Sequence, residues 1–298
     1  MKKINVKLVI FLFFLILVIG VGVFLVPRVG LIREVKGMML LIEFEEIEGL
    51  KNWANKLEEK KIPATIQVQH NIVAEHCKTI KDLSDRGFEI AGLYSPVAFW
   101  DKDYQFQYEK MKEVRDNIEQ CTSKKMKAFG SRYFAYDENT LKVAEELGVK
   151  YVFGRGTTGA QTTVYKPKEY DIKIIAVSNV PSKEMGTGSL CDYSLWARGE
   201  NPASFEKIAI EALTSNDKVI LVSHAYLGGT KLRWWNAYQN ILNKTKVNWL
   251  SLDDFTVVDQ ELANSDIPVN REVKYEVPKP EIPMVEEEEC LFAAPACY

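Results

Sequence analysis

Histidine is scarce in this 298-residue chain, with only three copies, so two of them at expected strand ends, His70 and His224, carry information. The five cysteines, at 77, 121, 191, 290 and 297, include no C-x-x-C pair. That spacing argues against a thiolate zinc site and against a thioredoxin-like motif. No long basic stripe is present and the formal charge is −3, which argues against nucleic acid as the main partner. A small-x-small cleavage site is also missing. The apolar run over residues 8–26 ends in Phe24-Leu25-Val26-Pro27-Arg28, so it does not have the form of a cleaved signal peptide.

What is present is a chain that is 47% apolar and rich in aromatic residues, enough for a packed core. At about 1.5 Å per residue, the 8–26 run nearly spans a hydrocarbon layer of roughly 30 Å. It is expected to be one uncleaved transmembrane helix within an anchor at 1–27. Lys2, Lys3 and Lys7 favour a cytoplasmic N-terminus, although Arg28, Arg33 and Lys36 flank the other side. The expected location is therefore a single-pass membrane protein with its globular part outside the cytoplasm. There some cysteines could pair, Cys290 with Cys297 being the nearest couple. Cys77 shares a helical face with Val73, Ile80 and Ser84 and is expected to be a buried thiol.

After a connector at 28–37, strand-like and helix-like segments alternate. Strands are expected at 38–44, 64–69, 88–94, 127–131, 151–154, 173–178, 219–224 and 247–252, with helices at 49–61, 71–86, 104–120, 137–147, 202–214 and 232–243. This alternation predicts an α/β fold, a parallel and barrel-like domain over 38–258. Functional groups then belong at the C-terminal ends of strands. Beyond 258, four prolines and the run Glu286–Glu289 describe a solvated tail over 259–298.

The first strand ends Glu43-Phe44-Glu45-Glu46. Neighbouring carboxylates on a strand face opposite ways, so a ligand–base pair requires a turn there, and a solvated acidic loop is the simpler reading. His70 and His224 end the second and seventh expected strands, where neutral imidazole can bind metal or move protons. Arg132 follows the fourth, placed either to hold a carboxylate or to make a surface ion pair. Gly154-Arg155-Gly156-Thr157-Thr158-Gly159 fits G-x-G-x-x-G, but no helix opens after it, so no nucleotide site is expected.

Taken in order, IPATIQV (62–68), KDLSDRGFEIAGLYS (81–95), FGSRYFAYDENTLKVAEELGVKYV (129–152), VILVSH and VNWLSLDDF resemble the polysaccharide deacetylase (NodB-homology) family of carbohydrate esterases. The resemblance implies a distorted (β/α) TIM-like barrel. It puts Glu45 at the family's catalytic base, Glu46 at a metal-ligand position, Arg132 at the arginine that steadies the base, and His224 at the general acid. Asp192 and Trp196 lie near its fourth motif. Leu93 and Val97 fall where two metal-binding histidines stand in the family. The implied protein is a membrane-anchored, deacetylase-like binder of glycan or cell-envelope polysaccharide, lacking metal-dependent catalysis, with no nucleic acid or nucleotide partner. Tyr94, Phe99, Trp100, Tyr133 and Trp196 would supply sugar-stacking faces. The alternative is an active carbohydrate deacetylase, a hydrolase on C–N bonds, whose zinc or other divalent metal is held by Glu46, with His70 and His224. A scaffold whose anchor and tail carry the function is a third expectation.

Overall fold

Continuous apolar runs become strands buried on both faces, as parallel sheets require. In β1 (Val35–Glu43), Met39 and Leu41 pack toward helices, whereas Met38, Leu40 and Ile42 face a second apolar cluster on the other side of the sheet. The computed structural model describes residues 34–43, 45–183 and 186–269. The expected membrane segment at 8–26 and the Cys290–Cys297 couple lie outside the described residues. Among these residues no helix is long and apolar enough to cross a membrane.

The remaining strands are β2 (Ala64–Gln69), β3 (Glu89–Tyr94), β4 (Ala128–Ser131), β5 (Tyr151–Thr158), β6 (Thr163–Pro167), β7 (Lys173–Pro181), β8 (Thr187–Ser189), β9 (Lys218–His224), β10 (Val247–Trp249) and β11 (Gln260–Leu262). They form one 11-stranded sheet in the order β10-β1-β2-β3-β4-β5-β7-β6-β11, with β9 on β1 and β8 on β7. All pairings are parallel except β6 and β8 against β7. This is an α/β fold with a predominantly parallel sheet. Among the described residues no continuous ladder joins β7 to β9. The two are instead stitched by one segment: Leu190 N–H donates to Ser178 C=O (2.9 Å), Val222 N–H donates to Leu190 C=O (3.0 Å), and Cys191 bridges Val222. Strand β11 lies beyond residue 258, inside the stretch read as tail.

The described helices are α1 (Glu48–Glu59), α2 (His70–Glu75), α3 (Cys77–Asp85), α4 (Tyr104–Thr122), α5 (Glu138–Glu146), α6 (Asp192–Trp196), α7 (Pro202–Ser215), α8 (Ala225–Gly228), α9 (Leu232–Lys244) and α10 (Leu252–Phe255). The helix expected over 71–86 is two helices, because the chain departs from helical geometry at His76 (φ −122°, ψ 29°). The expectation of a free Cys77 is corrected as well. It forms a disulfide with Cys121, since α3 packs on α4 and brings their Cα atoms to 5.5 Å, within bridging range. Gly154–Gly159 is the end of β5 and a turn toward β6, without a helix.

Candidate functional site

A cleft of about 290 Å³ opens over the C-terminal ends of β1, β3, β4, β5 and β9. Its floor is the end of the inner apolar cluster: Ile42, Leu93 and Phe134 belong to both. Period-two alternation decides which β3 residues reach it. Ala91 and Leu93 face inward, and Leu93 is 4% exposed. Tyr94 therefore faces the helices, where it packs on Phe99 and Phe106 at ring distances of 5.5 and 6.0 Å. Tyr94 and Phe99 belong to the core and not to a sugar-stacking surface. Val97, in the loop after β3, also packs against that helical side.

One wall is built from β9 and α6. The Asp192 carboxylate is fully buried. Its Oδ1 accepts the backbone N–H of Tyr193 (2.7 Å) and of His224 (2.9 Å), and lies 3.2 Å from His224 Nδ1. Its Oδ2 accepts the Ser223 hydroxyl at 2.9 Å. Ser223 Oγ in turn accepts Trp53 Nε1–H at 3.1 Å, and the Tyr238 hydroxyl donates to Val222 C=O at 2.5 Å. An anionic partner on Nδ1 makes that nitrogen the proton-bearing one and turns the Nε2 edge of the ring toward the cleft, which His224 lines. Gly228 permits this packing, because a Cβ there would collide with Ser223 Oγ and Asp192 Oδ2.

Tyr193 lies over the imidazole at 5.0 Å between ring centroids, and Tyr226 meets it edge-on at 6.3 Å. Burial pushes both phenols above their ordinary range. Neither was singled out from sequence. The available signal was position alone: Tyr193 sits in CDYSLW, next to Asp192, and Tyr226 directly follows the end of β9.

The opposite wall is the turn after β4. Tyr133 (φ 62°) and Phe134 (φ 55°) are consecutive non-glycine residues in the left-handed region. Each such residue costs on the order of 1–3 kcal/mol, and such strain concentrates at functional sites. The turn puts the Tyr133 ring into the cleft with Arg132 above it, the guanidinium carbon 4.9 Å from the ring centroid. Arg132 donates to Pro96 C=O (3.1 Å) and to the Tyr133 hydroxyl (3.2 Å); Glu45 is not among its bonded partners.

Glu43, another residue that sequence reasoning passed over, organises the acidic turn. Its buried carboxylate accepts the N–H groups of Glu45 (2.7 Å) and Glu46 (3.1 Å). The chain does turn there, leaving Glu45 exposed and Glu46 half-buried. Burial raises the Glu46 carboxyl, with Lys231 pulling it back. Neither residue lines the cleft. His70 starts α2 and points its Nε2 at Glu113, 3.7 Å away, not at the cleft. Trp100 and Trp196 are half-buried outside the lining, Trp196 resting edge-on against Tyr193.

Among the described residues, Cys191, Asp192 and His224 bring three donor atoms within 4.8 Å of one another. Both oxygens of Asp192 are already engaged, and the Cys191 sulfur accepts Ser194 N–H at 3.2 Å as the helix cap. Burial pushes its thiol well above the ordinary range, so it behaves as a structural group. The arrangement is that of an oriented imidazole with structural support, and it can act as a proton donor or acceptor toward a molecule in the cleft.

Residues 39–152 match the polysaccharide deacetylase family model. No curated protein matches the sequence. Among solved structures, a Mycobacterium smegmatis protein classed with the polysaccharide deacetylases is similar at 12% identity and a TM-score of 0.60, covering 75% of this chain and 90% of its own. A family 4 carbohydrate esterase pseudoenzyme from Bacillus anthracis is similar at 11% identity and a TM-score of 0.54, covering 78% of this chain and 68% of its own. A mutant of such a pseudoenzyme with restored enzymatic activity is similar at 11% identity and a TM-score of 0.54, covering 78% of this chain and 70% of its own. At these identities the likeness is one of fold.

Proposed function

We propose that this chain is a membrane-anchored, extracytoplasmic protein of the polysaccharide deacetylase type that holds glycan in the cleft and lacks the family's metal-dependent catalysis. One observation carries the reading. Leu93, aligned with a metal-binding histidine of the family, forms the floor of the cleft, and an aliphatic side chain has no lone pair to offer an ion. Val97, aligned with the second, is half-buried against the helical side of the core and does not line the cleft. The residues present do not fit the family's metal. Half-buried Glu46 stands outside the lining, and His70 faces Glu113.

The outward location is supported by the Cys77–Cys121 disulfide, a bond that persists in oxidising compartments. The anchor rests on the 8–26 run. A distorted barrel is supported by the Leu190–Cys191 stitch between β7 and β9. Elemental analysis of the purified full chain, together with calorimetric titration of acetylated and deacetylated oligosaccharides, tests the proposal. Glycan binding without bound metal is the expected result, and a stoichiometric ion or the absence of heat with any glycan overturns it.

A second reading is favoured by the His224–Asp192 pair, which a pure binding module does not need. In it the protein hydrolyses an acetamide without the family's metal, with Glu45 as base and His224 protonating the leaving amine. Acetate release that disappears in Glu45→Ala and in His224→Ala establishes this reading. Its absence from the parent chain rejects it.

A further inference from the structure

Three arginines line the cleft. Arg132 comes from the turn after β4, Arg155 from β5 and Arg198 from just past the end of α6, His224 lines it too, and no aspartate or glutamate among the described residues does. Arg155 and Arg198 are held by the chain: Arg155 donates to Thr187 C=O (2.9 Å), and Arg198 to Ser194 C=O (2.7 Å) and Oγ (2.9 Å). The argument therefore rests on Arg132. Among the described residues its contacts are a carbonyl, a phenol and a ring face, all neutral. A guanidinium has five N–H donors in a planar fork. Two of them are committed here, and lying over Tyr133 holds the fork in one plane before any ligand arrives.

We infer that the cleft selects a carboxylate-bearing sugar, a uronic acid or a sugar acid of similar shape, with the carboxylate on Arg132 and the ring between Tyr133 and Tyr193. This rests on the glycan reading above and names its substrate class. Three features converge on it. The floor of Ile42, Leu93 and Phe134 accepts an apolar ring face. The tyrosines flanking the cleft offer stacking surfaces of the kind that suit a pyranose. A partly sheltered, pre-oriented guanidinium also favours a planar anion through paired charge-assisted hydrogen bonds.

The experiment compares two tetrasaccharides on the full chain by calorimetric titration. One contains only N-acetylglucosamine; the other alternates N-acetylglucosamine with glucuronic acid. The acidic sugar exchanges two acetamides for hydroxyls as well as gaining two carboxylates, so the Arg132 variants isolate the carboxylate's share. The expected result is tighter binding of the acidic sugar, on the order of tenfold to a hundredfold. Arg132→Gln should reduce the ratio of the two affinities to about one, while Arg132→Lys, which keeps the charge and loses the fork, should retain part of it. The thermal midpoint of each variant is measured alongside. If Arg132→Gln does not fold, Arg132→Lys decides by whether the ratio falls. Equal affinities in the parent, or a ratio untouched by both substitutions, overturn the carboxylate inference and leave glycan binding standing. Heat with neither sugar removes both.

Discussion

The ends of β3 and β9 face the same cleft and have different characters. At β3 the chain presents Leu93, which fills its place with hydrocarbon and belongs to the inner apolar cluster. At β9 it presents His224, tied through Asp192 to Ser223, Trp53 and two backbone amides. The difference lies in what each position does for the fold. An aliphatic side chain on the floor needs no partner beyond the neighbours it packs against. A carboxylate that satisfies buried donors cannot be removed without leaving them unpaired. The polar wall is therefore structural as well as chemical.

Substitutions can break this comparison. The largest effect is expected from Asp192→Ala, which leaves two amides, a hydroxyl and an imidazole without their acceptor; a loss of roughly 3–5 kcal/mol in urea unfolding is expected. A loss under about 1 kcal/mol would mean the network is not structural. Next comes Leu93→His, which buries an imidazole in the floor of the cleft and should cost about 1–3 kcal/mol in urea unfolding. No measurable loss would mean that this position is not part of the packed floor. Gly228→Ala should destabilise by about 1–3 kcal/mol in urea unfolding through overpacking against Ser223 and Asp192, and an unchanged midpoint would mean the contact is not tight.

The smallest effect concerns Glu46. Its folded-state proton affinity is raised, chiefly by burial. Stability linked to it is therefore fully present below the unfolded carboxyl range and is lost as pH rises through the folded one. Glu46→Gln should stabilise slightly at neutral pH, by under about 1 kcal/mol because the half-buried group keeps contact with water, with the gain vanishing near pH 4. A gain that grows on acidification would reverse the assigned shift.

The sequence made the long parallel strands legible because burial on both faces leaves unbroken apolar runs such as MMLLI and VILV. It concealed β6, β8 and β11, which are short and mostly polar or glycine-containing, so that only their partners define them. His224, Arg132 and Tyr133 were visible at strand ends. Tyr94 was named for its place near a strand end, and the alternation along β3 turns it away from Leu93's face toward the helices. Glu43 was hidden by its neighbours: in EFEE nothing in residue type tells a buried cap from a solvated acid. Cys77 reaches Cys121 only through helix packing, which local spacing does not report.

The Leu190–Cys191 stitch has a further consequence. The segment fastening β7 to β9 is immediately followed by Asp192, so the fastener and the anchor of the imidazole are one continuous piece of backbone. The two edges on that side therefore cannot move apart without shifting Asp192 and, with it, the amide and ring of His224 that its carboxylate holds.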